Sequence, residues 1–135
     1  QFRFTPPTHV ILAFNRALDE LEMEGGVSGR AERYQANHRA LVAGMRRMGF
    51  QEYLPSDLQG YIITSFRYPD DPHFDFETFY KGLNDRGFVI YPGKVSNAEC
   101  FRIGTIGRIF ESDIRDLLRA IEEVIDEMGV RLHSV

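Results

Sequence analysis

The sequence predicts an α+β fold, a small antiparallel or mixed β-sheet with helices packed on one face and a helix pair in front. Three observations predict it. Segments with apolar residues at helical spacing alternate with short runs rich in β-branched and aromatic residues. Their order is helix, helix, strand, strand, helix, strand, strand, helix, which suits short strands covered on one side. The length of 135 residues matches one ordinary domain with a single core.

Each element has its own signals. Thr5-Pro6-Pro7 reads as a helix entrance, with Thr5 as cap and proline at the first helical position, where its missing N–H is no loss. Ile11, Phe14, Leu18 and Leu21 form the apolar stripe of this first helix, and Gly25-Gly26 end it. Ser28 is positioned to cap a second helix that runs to Met48 and stops at Gly49, with Tyr34, His38, Leu41, Met45 and Met48 facing inward. Its upstream half is polar, as expected of a helix that crosses solvent or meets another domain before reaching the core.

Residues 50–53 read as a short strand before the turn at Pro55-Ser56-Asp57, and YIITSF (61–66) as the clearest strand. YPDDPH is a loop, since Pro69 and Pro72 lack the amide a ladder needs. Asp75 caps a third helix bearing Phe76, Phe79, Tyr80 and Leu83 on one face, and Gly87 ends it. FVIYP (88–92) and residues 100–103 are the next strands. A last helix from about Ser112 turns Ile114, Leu117, Leu118, Ile121, Val124, Ile125 and Met128 inward.

Composition removes several classes of function. With 43% hydrophobic and 27% charged residues the chain is expected to fold, and a net charge of -4 argues against a nucleic-acid partner. No apolar run approaches the roughly 20 residues of a membrane span, and no secretory signal opens the chain. A single cysteine excludes an internal disulfide and fits the cytoplasm. The start at Gln1 leads us to expect the end of something longer.

Most candidate sites have a plain reading. His9, His38, His73 and His133 lie on separate elements, so no metal is expected. Ser65, Ser96 and Ser112 lack the glycines of a nucleophile elbow, and Cys100 reads as a small core residue. Gly93-Lys94 lacks the upstream glycine of a phosphate loop. Glu122, Glu123, Asp126 and Glu127 read as the wet face of the last helix.

Arg102 differs. In "CFRIGTIG", alternation sets Arg102 on the face opposite Phe101 and Ile103. If helices cover the other face, its guanidinium looks outward as a planar fork suited to a carboxylate or phosphonate, and Gly104 and Gly107 leave backbone room beside it. The alternative is a structural ion pair with a local acid. Thr5 likewise is either a plain cap or a hydroxyl beside free amides that would hold a phosphate.

"RFTPPTHVILAF", "EGGVSGRAERY", "GFVIYPGK" and "CFRIGTIG", in this order over nearly the whole chain, resemble the C-terminal part of the 2-aminoethylphosphonate–pyruvate aminotransferases. These belong to the class V branch of fold-type I pyridoxal-phosphate enzymes. The R-I-G-x-x-G element is shared with alanine–glyoxylate aminotransferases, so the phosphonate assignment rests on RFTPPTH and YPGK together. The resemblance implies the small C-terminal domain of such an enzyme, with residues 1–27 as interdomain linker helix and 28–135 as the domain proper.

It further implies amino transfer from 2-aminoethylphosphonate to pyruvate, giving phosphonoacetaldehyde and L-alanine, in a homodimer. Arg102 would bind the substrate carboxylate, and Thr5 would reach the pyridoxal 5'-phosphate of the neighbouring subunit. The family's Schiff-base lysine and the aspartate that pairs with the pyridine nitrogen lie in a larger N-terminal domain. This chain has two lysines, Lys81 on the outer side of the third helix and Lys94 in YPGK, and neither matches the catalytic one. The chain alone is therefore expected to hold no catalytic residue, to bind no cofactor and to be inactive. The rival expectation is a non-catalytic α+β ligand-binding or dimerisation module.

Overall fold

A computed structural model describes residues 3–95 and 98–132; Ser96 and His133 lie outside the described residues. The chain divides into two compact units, Gln1–Arg33 and Tyr34–Val135.

The first unit holds helix α1, Thr8–Met23, and the opening turns of α2, Gly26–Met48. Helix α1 starts later than the sequence suggests, and Thr5 does not cap it. Its N-cap is Pro7, with no side-chain cap bond. The two prolines explain this, because a residue preceding proline is pushed out of the helical region, so neither Thr5 nor Pro6 can join the first turn. No residue of α1 is buried, and its stripe of Ile11, Phe14 and Leu18 stands exposed. Gly25 and Gly26, with φ of 92° and 71°, make the bend to α2, which begins two residues before the expected Ser28 cap. Arg33 and Arg30 both hydrogen-bond the Glu24 carboxylate there, and those bonds hold it down to about 2.

The second unit is an α+β domain, as expected. Strands β1 (Ile63–Arg67), β2 (Tyr91–Val95) and β3 (Ala98–Gly104) form an antiparallel sheet in the order β1-β3-β2, with α3 (Phe76–Asp85) and α4 (Glu111–Met128) completing the fold. The register pairs Phe66 with Phe101 and Thr64 with Ile103. Those four side chains point one way and are buried, and the three apolar ones join Leu41, Met45, Phe79, Leu83, Leu118 and Ile121 in one core. The helices therefore cover one face of the sheet. Phe101 sits at its centre, with ring centroids 5.3 Å from Phe79, 5.7 Å from Phe50 and 5.8 Å from Phe66. Helix α2 meets α4 at Gly44, where an added Cβ would lie 2.3 Å from a methyl of Leu118.

Two strand expectations shift for one reason. Residues 50–53 make only a single bridge, Glu52 to Phe66, and β2 starts at Tyr91 rather than Phe88. In both places the backbone amide is taken by the end of the preceding helix: Phe50 N–H donates to Met45 O and Phe88 N–H to Leu83 O, each at 2.9 Å. A helix terminus satisfied this way delays pairing; after α2 it is limited to the bonds Arg67 N–H to Gln51 O and Tyr53 N–H to Ser65 O that flank the Glu52 bridge. Arg86 then ties α3 to α4 through Glu123 and Glu127, two of the four acids on the wet face of α4.

Asp75 caps α3 as expected, accepting from the Thr78 amide at 2.8 Å and its hydroxyl at 2.7 Å. The Thr78 hydroxyl and then its amide hold the Asp75 carboxyl below the usual range. A carboxyl depressed in the folded state stabilises fully above the unfolded value of about 4 and loses that contribution as pH falls through its folded value. Thermal melts should therefore show the native protein losing midpoint below about pH 4, with Asp75→Asn losing less over the same range because its cap carries no charge.

Candidate functional site

The candidate site lies on the sheet face opposite the helices. Strand β3 is central, and the register sets Ser65 of β1 on one side of Arg102 and Tyr91 of β2 on the other. Alternation does what the sequence suggested: Phe101 and Ile103 are buried against the helices, and Arg102, half-buried, lies on the opposite face. Tyr91 is 62% exposed beside it.

Among the described residues Arg102 makes no ion pair and no side-chain hydrogen bond. A structural pair with a local acid is thus not what occupies it there. The other arginine on this face is engaged, the Arg67 guanidinium lying 4.9 Å from the centre of the Tyr53 ring. Cys100, on Arg102's side of β3, is nonetheless buried, and that burial pushes its thiol up, which works against a thiolate nucleophile.

The loop that follows Arg102 is tied down at several points. Thr105, fully buried, donates its hydroxyl toward the carbonyls of Tyr61 at 3.0 Å and Ile62 at 3.1 Å, and its amide to Ile62 O at 2.8 Å. Asn37 of α2, also fully buried, donates Nδ2 to Ile109 O at 2.9 Å. The Gly107 amide points to the Tyr34 hydroxyl at 3.5 Å. Asn37 did not stand out in the sequence, although it lies four residues before Leu41 and so on the same buried face. Ser65 and Tyr91 were also missed as neighbours of Arg102, because pairing register is not written in one strand.

Other candidates fall elsewhere. Thr5 belongs to the first unit, exposed ahead of α1, and Arg102 to the second. Lys81 is exposed on α3 and Lys94 lies in β2. His38 Nδ1 is 3.2 Å from the Thr64 hydroxyl, and burial lowers its pKa. A crevice of about 480 Å³ lined by Arg46, Glu52 and Ser56 shares no residue with the Arg102 face, and Glu52 already grips Arg46 at 2.6 Å. Among the described residues no three metal-ligating side chains cluster, and no helix is long and apolar enough to cross a membrane.

No family model matches the chain. It is 55% identical over 125 residues to a 2-aminoethylphosphonate–pyruvate transaminase of Klebsiella pneumoniae, covering 93% of this chain and 34% of that protein. A Salmonella paratyphi B protein of the same description is 55% identical over 121 residues, covering 90% and 33%. The chain thus spans about a third of the curated relatives it matches. Among solved structures it is similar to pyridoxamine–pyruvate aminotransferase from Mesorhizobium loti, with a TM-score of 0.84 and 23% identity over 99% of this chain and 34% of that one. Alanine–glyoxylate aminotransferase from Nostoc sp. gives 0.83 and 21%, covering 93% and 33%. The fold is that of the small C-terminal domain of pyridoxal-phosphate aminotransferases.

Proposed function

We propose that this chain is the C-terminal third of a cytoplasmic, homodimeric pyridoxal-phosphate aminotransferase that moves the amino group of 2-aminoethylphosphonate onto pyruvate. Phosphonoacetaldehyde and L-alanine are its products. The observation that carries the reading is Arg102, a fork of donors on the uncovered face of the central strand with no carboxylate partner among the described residues. The 55% identity to transaminases of that description supports the choice of substrates.

The residues present fit the substrate end of such a site and one contact to its cofactor. Arg102 grips the carboxylate of pyruvate or alanine with two parallel N–H donors, which fixes orientation as well as distance. Strand β3 is hydrogen-bonded on both sides, so the base of that arm cannot drift. Ser65 and Tyr91 bound the space on either side. Thr5, exposed and ahead of α1, would offer its hydroxyl to the phosphate of pyridoxal phosphate in the neighbouring subunit. The cofactor, when bound, supplies the electron sink for breaking bonds at the amine-bearing carbon. The catalytic lysine comes from the remaining two-thirds of the enzyme. Residues 1–27 link the two parts, and the exposed Ile11, Phe14 and Leu18 are where the absent part would rest.

The test expresses the complete coding sequence containing this chain and follows the cofactor's visible absorbance on adding amines. A response to 2-aminoethylphosphonate at low concentration is expected. A response confined to other amines would reassign the chain to the alanine–glyoxylate type, and a complete protein that binds no cofactor would leave a non-catalytic module.

A further inference from the structure

We propose that Gly93 is a positioning residue for Arg102, its missing side chain forming the slot in which the arginine stem lies. This deepens the functional reading above and rests on it. A glycine inside a strand weakens it and calls for a reason, commonly the close approach of another group. At Gly93 the backbone does not supply that reason. Its φ is not in the left-handed region that other glycines here occupy, so the φ does not by itself call for glycine.

Space supplies the reason instead. Gly93 pairs with Cys100, and Tyr91 two residues earlier pairs with Arg102, so all four stand on the uncovered face of the β2–β3 ladder. A Cβ built on Gly93 would lie 3.3 Å from Arg102 Cγ, 3.0 Å from the Cys100 carbonyl oxygen and 3.2 Å from its carbon. Gly93 is itself buried, although it sits on the outward face. The Cys100 carbonyl and, beside it, the Arg102 methylene stem are what it meets there. The arm is seated along β2 before any ligand arrives, and the guanidinium is delivered to one place rather than sampled among rotamers. A methyl at position 93 would press on both. The Cys100 backbone is held by the ladder, so the side-chain stem is the part that yields, and the fork is displaced with its charge intact.

The experiment uses the complete, cofactor-loaded enzyme in four forms: native, Gly93→Ala, Arg102→Ala and the double variant. Gly93→Ala, checked by thermal melting, is expected to raise KM for pyruvate by about ten- to a hundredfold, with kcat changed less. It should have no further effect on KM once Arg102 is alanine, since the two act as one unit. An unchanged KM in folded Gly93→Ala, or an equal rise in both backgrounds, would overturn the proposal. If Arg102→Ala itself leaves KM unchanged, the carboxylate role of Arg102 fails and this proposal with it; only the first pair of results counts against Gly93 alone. Should Gly93→Ala not fold, the double variant decides. Folding restored by Arg102→Ala puts the clash at the arginine stem and supports the proposal, whereas persistent misfolding puts it at the Cys100 backbone and overturns it.

Discussion

Replacing Arg102 with lysine in the complete enzyme is expected to lower kcat/KM for pyruvate by about 10²-fold, roughly 2.7 kcal/mol of transition-state binding. Lysine keeps the positive charge and loses the fork. A point charge on a flexible stem attracts a carboxylate without fixing its plane, and it is the plane that orients the acid against the cofactor. Stability should barely move, within about 0.5 kcal/mol, because the side chain faces out of the sheet and no described carboxylate depends on it. Steady-state kinetics with 2-aminoethylphosphonate and varied pyruvate, beside a thermal melt, separate the two effects. Near-native kinetics in Arg102→Lys would remove the assignment.

Phe101→Ala is expected to have the opposite profile, a loss of about 3–5 kcal/mol in folding stability. The ring is fully buried and lies within 6.3 Å, centroid to centroid, of Phe50, Phe66, Tyr68, Phe76 and Phe79. Removing it opens a cavity between sheet and helices that neighbours on β1, α3 and the segments after α2 and β1 cannot close together. A domain of this size has only about 5–15 kcal/mol in hand, so the variant should sit near the edge of folding. Urea denaturation reads the change as a lower midpoint at similar slope. A loss below about 1 kcal/mol would mean that the core closes over the gap, contrary to the packing described. Phe101 and Arg102 are adjacent, so this pair of variants also separates the two faces of one strand: one neighbour packs in the core, the other is the one proposed to meet the ligand.

How much of this was legible in the sequence depends on whether the signal was local. Helix α4 could be read almost residue by residue, because Ile114, Leu117, Ile121 and Val124 recur at the period of a helix and are buried for that reason. Asp75 at the mouth of α3 and the outward aspect of Arg102 were equally readable, the first from capping chemistry and the second from alternation. What failed depends on competition between neighbours. Thr5 had the chemistry of a cap, but the prolines after it pushed the helix start to Thr8. Phe50 and Phe88 had the side chains of strands, but their amides were claimed by α2 and α3. Buried Asn37 hides in a helix whose other polar residues are mostly surface ones. The central place of β3, and with it the flanking of Arg102 by Ser65 and Tyr91, depends on pairing between distant segments, which no single run of residues states.

The central claim is that this chain completes a transaminase site by contributing its anion-binding arm. The most direct measurement is alanine formed from pyruvate and 2-aminoethylphosphonate by the complete protein, by its N-terminal portion alone and by that portion co-expressed with this chain. Alanine production by the complete and the co-expressed forms, with none from the N-terminal portion alone, is the expected result. Equal turnover by the N-terminal portion without this chain, or a complete cofactor-loaded protein that forms no alanine, would contradict it.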